Sequence, residues 1–381
     1  MGILFVMPRW SAPSEVWMRR MMDALADDLS YIASEAPEEK LWRGRVPTIN
    51  LAPRSVLNKV RKRLGWSPVD KGRRPLMRAV HSKTVTCIFV HWLDFALRYA
   101  DVWASTNKPL FIHCHGSDVT WKRQHYDQLP AIPAFSEDYP QQAFRLSERA
   151  ILIANSRCTA AKLENIGVPS GRIRLHYFGV PTREGPPRPF ESQEVTLLFL
   201  GRLVDFKGPD LTIKAFELAC DRGLQGKLLI AGNGPLAATC ALMRIRSKYS
   251  RRIHLLGTVD SRRAVELQQA ADIFTAHSCI GPLSNQEEGF GVAFVEAMAA
   301  GLPIVTGRTE ALEEVVEDGV TGVLFPPGDV EAHANAILTL ATNPKMRLQM
   351  GRAAGQRAST LFPIENDTQN LRRTLGIKHL P

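Results

Sequence analysis

At 381 residues with 45% apolar content, the chain can bury a full core and divide into two domains, which excludes a disordered chain or a small stapled scaffold. Its six cysteines, Cys87, Cys114, Cys158, Cys220, Cys240 and Cys279, are scattered without a C-x-x-C pair, so neither a disulfide framework nor a cysteine zinc site is indicated and a reducing compartment fits. The net charge of +10 lies wholly in the first half: residues 1–185 hold 27 Lys and Arg against 17 Asp and Glu, and the remainder 21 against 21.

From the N-terminus, MGILFVMPRW lacks the basic flank, apolar stretch and small-residue cleavage site of a signal peptide, and no run of about 18 apolar residues follows. The expected location is therefore the cytoplasm. Short β-rich runs then alternate with amphipathic segments, the pattern of parallel α/β sheets. The strands predicted for the first half are Ile3–Met7, Thr86–His91, Leu110–His113, Ala150–Ala154 and Arg172–Tyr177. Those predicted for the second are Thr196–Leu200, Lys227–Ala231, Ile253–Leu256, Ile273–Ala276, Ile304–Thr306 and Gly322–Phe325. Between them, GVPTREGPPRPFESQ holds four prolines that cannot continue a sheet and reads as an interdomain linker, with the boundary near Gly185 to Gln193. The division that follows is 1–188, 189–360 and a tail, 361–381, read as a helix packing back on the first domain. Two doubly wound domains bind ligand at the carboxyl ends of their strands, so the expected site is a central cleft that both face.

Residues 40–83 are the one strongly biased stretch, with 13 basic residues and a single acid, Asp70. Val56, Leu57, Val60 and Leu64 form an apolar stripe beside Arg54, Lys59, Arg61, Lys62 and Arg63, a pattern suited to a helix on anionic lipid. A solvated basic loop and helix explains the composition equally well. Nucleic-acid binding is not expected, because no recognised nucleic-acid module surrounds the stretch.

Three segments of the second half carry chemistry. In LLFLGRLVDFKGPDLTIKAF a strand delivers Gly201 at its carboxyl end, and Arg202 and Lys207 flank the loop before a helix starting near Pro209. Two such cations suit a diphosphate, the arginine by bidentate contact and the lysine as a compact charge, although a plain surface pair fits too. In LLIAGNGPL the strand ends at Gly232, Asn233 and Gly234, which permit close backbone approach to a ligand or simply make a tight turn. In NQEEGFGVAFVEAMAAGLPIVTG, Gly289, Phe290 and Gly291 lead into a helix over Val292–Ala300 that stops at Gly301 with Pro303 behind. Amides at such a helix start favour phosphate. Glu288 before the turn and Glu296 inside the helix are acceptors suited to sugar hydroxyls.

GRLVDFKG, then IAGNGPL, then the two glutamates of EGFGVAFVEAMAAGLPIV resemble, in that order, the donor domain of family 4 glycosyltransferases over most of residues 195–330. The resemblance implies a retaining enzyme of GT-B architecture, two Rossmann-like domains, acting on a nucleotide-sugar donor. It implies that Arg202 and Lys207 bind the donor diphosphate, that Glu288 contacts the transferred sugar and Glu296 the ribose hydroxyls, and that backbone near Thr258 and Val259 meets the base. In the first half MPRWSAPSEVWMRRMMDAL, HWL, IHCHGSDVT and the IANSR…RIRLHYFGV run are similar to exopolysaccharide and lipopolysaccharide members. His115 of HCHGSD then matches the histidine placed beside the donor sugar, against the plain alternative of a hydrogen-bonded core histidine. PRWSAPSE departs from many members by offering no glycine pair after the first strand, which turns Ser14 and Glu15, with Asp118, toward an acceptor.

The function expected is transfer of a sugar from a UDP- or GDP-sugar to a glycan or lipid-linked acceptor in cell-surface polysaccharide biosynthesis. Contact of residues 40–83 with an anionic membrane, on the inner face of the plasma membrane, is one of the two readings of that stretch. No D-x-D spacing occurs, so a metal-independent site without cofactor is expected, the nucleotide sugar being a substrate. His113 and His115 could share one strand face as a metal pair, but no third ligand is evident in the sequence. A glycosidase, whose paired carboxylates must flank one bond, fits poorly with Glu296 inside a helix. A catalytically silent GT-B binding module is the remaining alternative.

Overall fold

The structure is a computed structural model that describes residues 2–9, 16–37, 39–52, 72–121, 135–181 and 194–377. Ser14, Glu15, the 54–66 stripe and the linker from residue 182 to Gln193 lie outside the described residues. The described residues form two compact units, one within 2–121, Phe135–His176 and 368–377, the other within Tyr177–Asp367. The division at His176/Tyr177 falls before the proline-rich linker, and the chain returns to the first unit part-way along a helix, Ile364–Thr374. In that helix Arg372 pairs with Asp28 at 2.7 Å.

In the first unit the described strands are β1 Ile3–Met7, β2 Leu29–Ser34, β3 Leu41–Trp42, β4 Val46–Asn50, β5 Cys87–His91, β6 Leu110–Cys114, β7 Ala150–Ala154 and β8 Ile173–Leu175. They form one sheet in the order β3-β4-β2-β1-β5-β6-β7-β8, parallel except where β3 meets β4. β1, β5 and β6 are buried along their whole length, the pattern of parallel strands covered on both faces. The three strands absent from the sequence reading, β2, β3 and β4, sit together on one side. β4 includes Pro47, which has no amide to donate to the sheet, and β3 and β4 lie inside the basic stretch. Arg43 and Arg45 there pair with Asp23 and Asp27, at 2.5 and 2.8 Å.

The second unit's described strands are β9 Val195–Leu200, β10 Gly226–Ala231, β11 Ile253–Gly257, β12 Ile273–Ala276, β13 Ile304–Gly307 and β14 Gly322–Phe325. Their order, β11-β10-β9-β12-β13-β14, is all parallel and reverses direction of travel between β9 and β12. In an open α/β sheet that reversal leaves a crevice at the strands' carboxyl ends. Gly201 follows β9 there, and His277 follows β12. Six strands predicted from alternation are thus present within two residues of their expected limits.

Candidate active site

At the crevice of the second unit, neighbouring strand ends are laced by backbone. The amide of Gly201 donates to Ala231 at 3.0 Å, that of Leu203 to Asn233 at 3.0 Å, and that of Gly232 to Gly257 at 2.8 Å. The loops are so close that a Cβ on Gly232 would stand 1.8 Å from the Gly201 carbonyl oxygen, and one on Gly234 2.5 Å from that of Leu203. The GNG glycines are therefore required by loop-on-loop approach, whatever ligand they also admit. Thr258 and Val259 follow β11 on the same edge of the sheet, Thr258 exposed.

Arg202 is exposed just past β9, its guanidinium 5.9 Å from the Phe206 ring centroid. Lys207 closes a single 3-10 turn, Asp205–Lys207, and its Nζ donates to Glu288 Oε2. Both side chains are mostly buried, at 13% and 12% exposed, so the pair is an ion pair with little screening. Gly208 follows at φ +52°, where a Cβ would also meet the His277 carbonyl oxygen at 2.4 Å; the helix Pro209–Asp221 starts beside it. Sequence spacing suggested Arg202 and Lys207 as partners. It did not show that Lys207 and Glu288, 81 positions apart, face each other.

Gly291, at φ +88°, starts the helix Val292–Ala299, and a Cβ on it would lie 3.5 Å from Glu288 Cγ, so Glu288 stands beside the helix start. Glu296 is partly buried one turn further on. The Phe290 ring is 2% exposed and belongs to an aromatic cluster with Tyr177, Phe178 and Phe362, at centroid distances of 5.6, 5.9 and 5.5 Å.

Beneath the crevice a buried chain of polar groups holds β12. The amide of Gly328 donates to His277 Nε2 at 3.0 Å, which puts the ring proton on Nδ1. That nitrogen donates to His333 Nδ1 at 3.0 Å, and His333 Nε2 donates to the Thr275 hydroxyl at 2.7 Å. Burial keeps both rings neutral, pushing His277 down to about 4 and His333 well below the usual histidine range. Thr212 completes the tie, its Oγ1 accepting from the His277 amide at 3.0 Å while donating to Gly208 at 2.8 Å.

The first unit gathers histidines at the ends of β5 and β6. Parallel pairing sets His91 opposite His113, and His115 lies two residues beyond. His115 is flanked by Trp17 and Trp92, with ring centroids at 4.6 and 4.4 Å, and its Nε2 lies 3.2 Å from His91 Nδ1. Trp92 has φ +68°, strained for a bulky residue and a conformation the sequence does not announce. Burial drives His91 down to about 3 and holds His113 and His115 well below the ordinary range, so the rings are neutral near pH 7.

His91 supplies the third histidine that the sequence did not reveal: one nitrogen from each of His91, His113 and His115 lies within 4.8 Å of the others. Their rings, however, run within 19–27° of parallel, and His113 stacks on His115 at 4.6 Å. Metal-binding lone pairs lie in the ring plane, so stacked planes do not converge on one ion, and the trio is a packed histidine stack. Asp118 also departs from expectation. It is 1% exposed, with Oδ2 accepting from the Leu93 amide and Oδ1 from that of His115, both at 2.8 Å. A carboxylate so placed braces the loops after β5 and β6 instead of facing an acceptor, and burial raises it to about 7.

Residues 183–357 match the family model described as glycosyl transferases group 1. The amylovoran biosynthesis glycosyltransferase AmsK of Erwinia amylovora is 26% identical over 250 residues, 65% of this chain and 59% of that protein. A GDP-mannose-dependent alpha-(1-6)-phosphatidylinositol dimannoside mannosyltransferase of Mycobacterium tuberculosis is 32% identical over 208 residues, 54% of this chain and 47% of that protein. The chain thus spans less than two thirds of the length of either relative. Among solved structures, Anabaena Alr3699/HepE in complex with UDP-glucose superposes with a TM-score of 0.77 at 20% identity, covering 99% of both chains. That likeness is one of fold, the GT-B architecture. Among the described residues no helix is long and apolar enough to cross a membrane.

Proposed function

We propose, from the match of residues 183–357 to the group 1 glycosyl transferase model, that the chain transfers a sugar, with retention of anomeric configuration, from a nucleoside-diphosphate sugar to a glycan or lipid-linked glycan in surface polysaccharide assembly. The observation that carries this reading is the mostly buried Lys207–Glu288 pair beside Gly201, Arg202 and the helix start at Gly291. A cation held by a carboxylate, beside a helix start at a sheet crevice, is arranged to exchange that carboxylate for a phosphate.

In the proposed reaction Arg202 and Lys207 balance the charge that grows on the leaving diphosphate, and the amides of Gly289–Gly291 add to it. Glu288, released from Lys207, accepts from hydroxyls of the transferred sugar, and Glu296 accepts from the ribose. The bond from the anomeric carbon to the phosphate oxygen breaks, the acceptor oxygen bonds to that carbon from the same face, and its proton passes to the leaving phosphate. Fixed cations supply the charge compensation, so no step is assigned to a metal. Trapping a glycosyl group covalently on Glu288 would contradict this course. In the first unit, His115 is assigned to hydrogen bonding with a sugar hydroxyl.

The test is thermal stabilisation by UDP-, GDP- and ADP-sugars. HepE was solved with UDP-glucose and the mycobacterial relative is named for GDP-mannose, so both bases belong in the panel. A donor at 100 times its dissociation constant stabilises by about 2.7 kcal/mol. We expect one donor to raise the melting temperature of the wild type and Glu296→Ala to lose that shift; an unchanged shift in the variant removes the ribose assignment. Residues 40–83 are assigned to anionic membrane contact, and deletion of 54–66 is expected to reduce sedimentation with anionic phospholipid vesicles while leaving the donor shift intact.

A further inference from the structure

Asp205 stands between Arg202 and Lys207, the two cations assigned to the diphosphate, where an uncompensated carboxylate would repel that ligand. Its charge is engaged elsewhere. Oδ2 accepts from the amides of Leu283, at 3.0 Å, and Ser284, at 2.8 Å, and Oδ1 accepts from the Ser284 hydroxyl at 2.9 Å. All three donors belong to the loop that runs on to Glu288.

We propose that Asp205 is a positioning residue for the donor site: it pins the 3-10 turn bearing Lys207 to the loop bearing Glu288 and so sets the distance between those two side chains. The proposal rests on the reading of Lys207 as a phosphate ligand.

The loop is built for this attachment. It closes on itself, the Gly281 amide donating to Gln286 at 2.7 Å and the Asn285 amide to Gly281 at 2.8 Å. Asn285 sits at φ +53°, a left-handed conformation that asparagine tolerates better than most residues. Gly281 leaves room for the carboxylate, since a Cβ there would stand 2.5 Å from Asp205 Oδ2. A second tether runs alongside, from the Cys279 amide to the Phe206 carbonyl at 2.9 Å. Two consecutive residues of the turn thus hold the loop at two points, and Lys207 is the next residue. Hydrogen bonds from three donors to one ionised acceptor are individually stronger than neutral ones, so the carboxylate is the firmer of the two tethers.

The test compares wild type with Asp205→Ala, Asp205→Asn and Ser284→Ala in the full chain. Lysines are labelled with limiting acetic anhydride and read by mass spectrometry, and donor KM and kcat are measured alongside. In Asp205→Ala we expect Lys207 to label at least five-fold faster while the other lysines keep their wild-type rates, and kcat to fall further than KM rises. Ser284→Ala, which removes one of the three donors, moves both readouts the same way by less. Where Asp205→Ala yields no folded protein, Asp205→Asn decides: it keeps one acceptor oxygen and is expected to fall between wild type and alanine. Unchanged Lys207 labelling in the folded variants overturns the proposal, as does a uniform rise across all lysines, which would mark general loosening. The labelling needs no donor, so it stands apart from the assignment of the donor site. If no nucleotide sugar stabilises the wild type, that assignment fails while the test of Asp205 remains.

Discussion

The Asp118 carboxylate accepts from two backbone amides, and Asp118→Asn would turn one of those acceptors into a donor facing a donor. A buried N–H left without an acceptor costs about 1–3 kcal/mol, so the variant is expected to lose that much stability in urea titration. A loss of a few tenths would mean that solvent reaches the site. Lys207→Ala is expected to act on chemistry, lowering kcat by about 100-fold, the usual effect of deleting one donor that stabilises a developing anion. An unchanged kcat would remove the lysine from the leaving-group assignment. At this scale the sequence was legible where residue type and spacing carry the meaning: Arg202 and Lys207 flank the turn after β9, and Glu288 precedes the helix that holds Glu296. It was silent where meaning comes from a distant partner. Nothing local marks Asp205 as the anchor of a loop 78 residues downstream, or Phe290 as a member of an aromatic cluster with Tyr177, Phe178 and Phe362.

The three lower-numbered strands of the second unit, β9, β10 and β11, end in loops laced by backbone hydrogen bonds, and the close approach at Gly232 and Gly234 makes glycine a condition of their spacing. Gly232→Ala would place a methyl group 1.8 Å from the Gly201 carbonyl at φ +149°, so the β9 and β10 loops must separate. We expect the donor-induced thermal shift to disappear in this variant even where the protein remains folded, because Gly201 and Arg202 move with the loop. A retained shift would show that the ligand does not depend on that contact. Strands read from alternation were found because parallel strands buried on both faces form near-continuous apolar runs. β2, β3 and β4 escaped for reasons visible in their composition: LSYIAS mixes polar and apolar residues, VPTIN contains Pro47, and β3 has only Leu41 and Trp42. The positive charge of the surrounding stretch pointed to a helix or loop, whereas Arg43 and Arg45 are partners of Asp23 and Asp27.

Across the whole molecule, buried neutral histidines set the response to acid. His277, held at about 4, and His91, held at about 3, would return to about 6.5 on unfolding. Between about 6.5 and those lower values the unfolded chain binds more protons, so folding stability is level above that window and falls as pH drops through it. Asp118 works the other way, taking its proton near 7 when folded and near 3.8 when unfolded, and offsets part of the loss as pH falls between those values. Urea midpoints measured from pH 7.5 to 4.5 are expected to decline in sum, since His113, His115 and His333 shift in the same direction as His277 and His91. A flat profile would mean that these rings are hydrated.

The second unit begins and ends at one place. Val180 pairs with Pro363, its amide donating to Phe362 at 2.9 Å and its carbonyl accepting from Ile364 at 3.1 Å, while Asp367 accepts from the Gly179 amide at 2.9 Å. A stretch of chain whose entry and exit are stitched side by side behaves as a cassette. It can be exchanged for the corresponding stretch of a related enzyme without moving the cut ends apart, so whatever that stretch contributes becomes open to recombination in a single step while the rest of the chain keeps its own sequence.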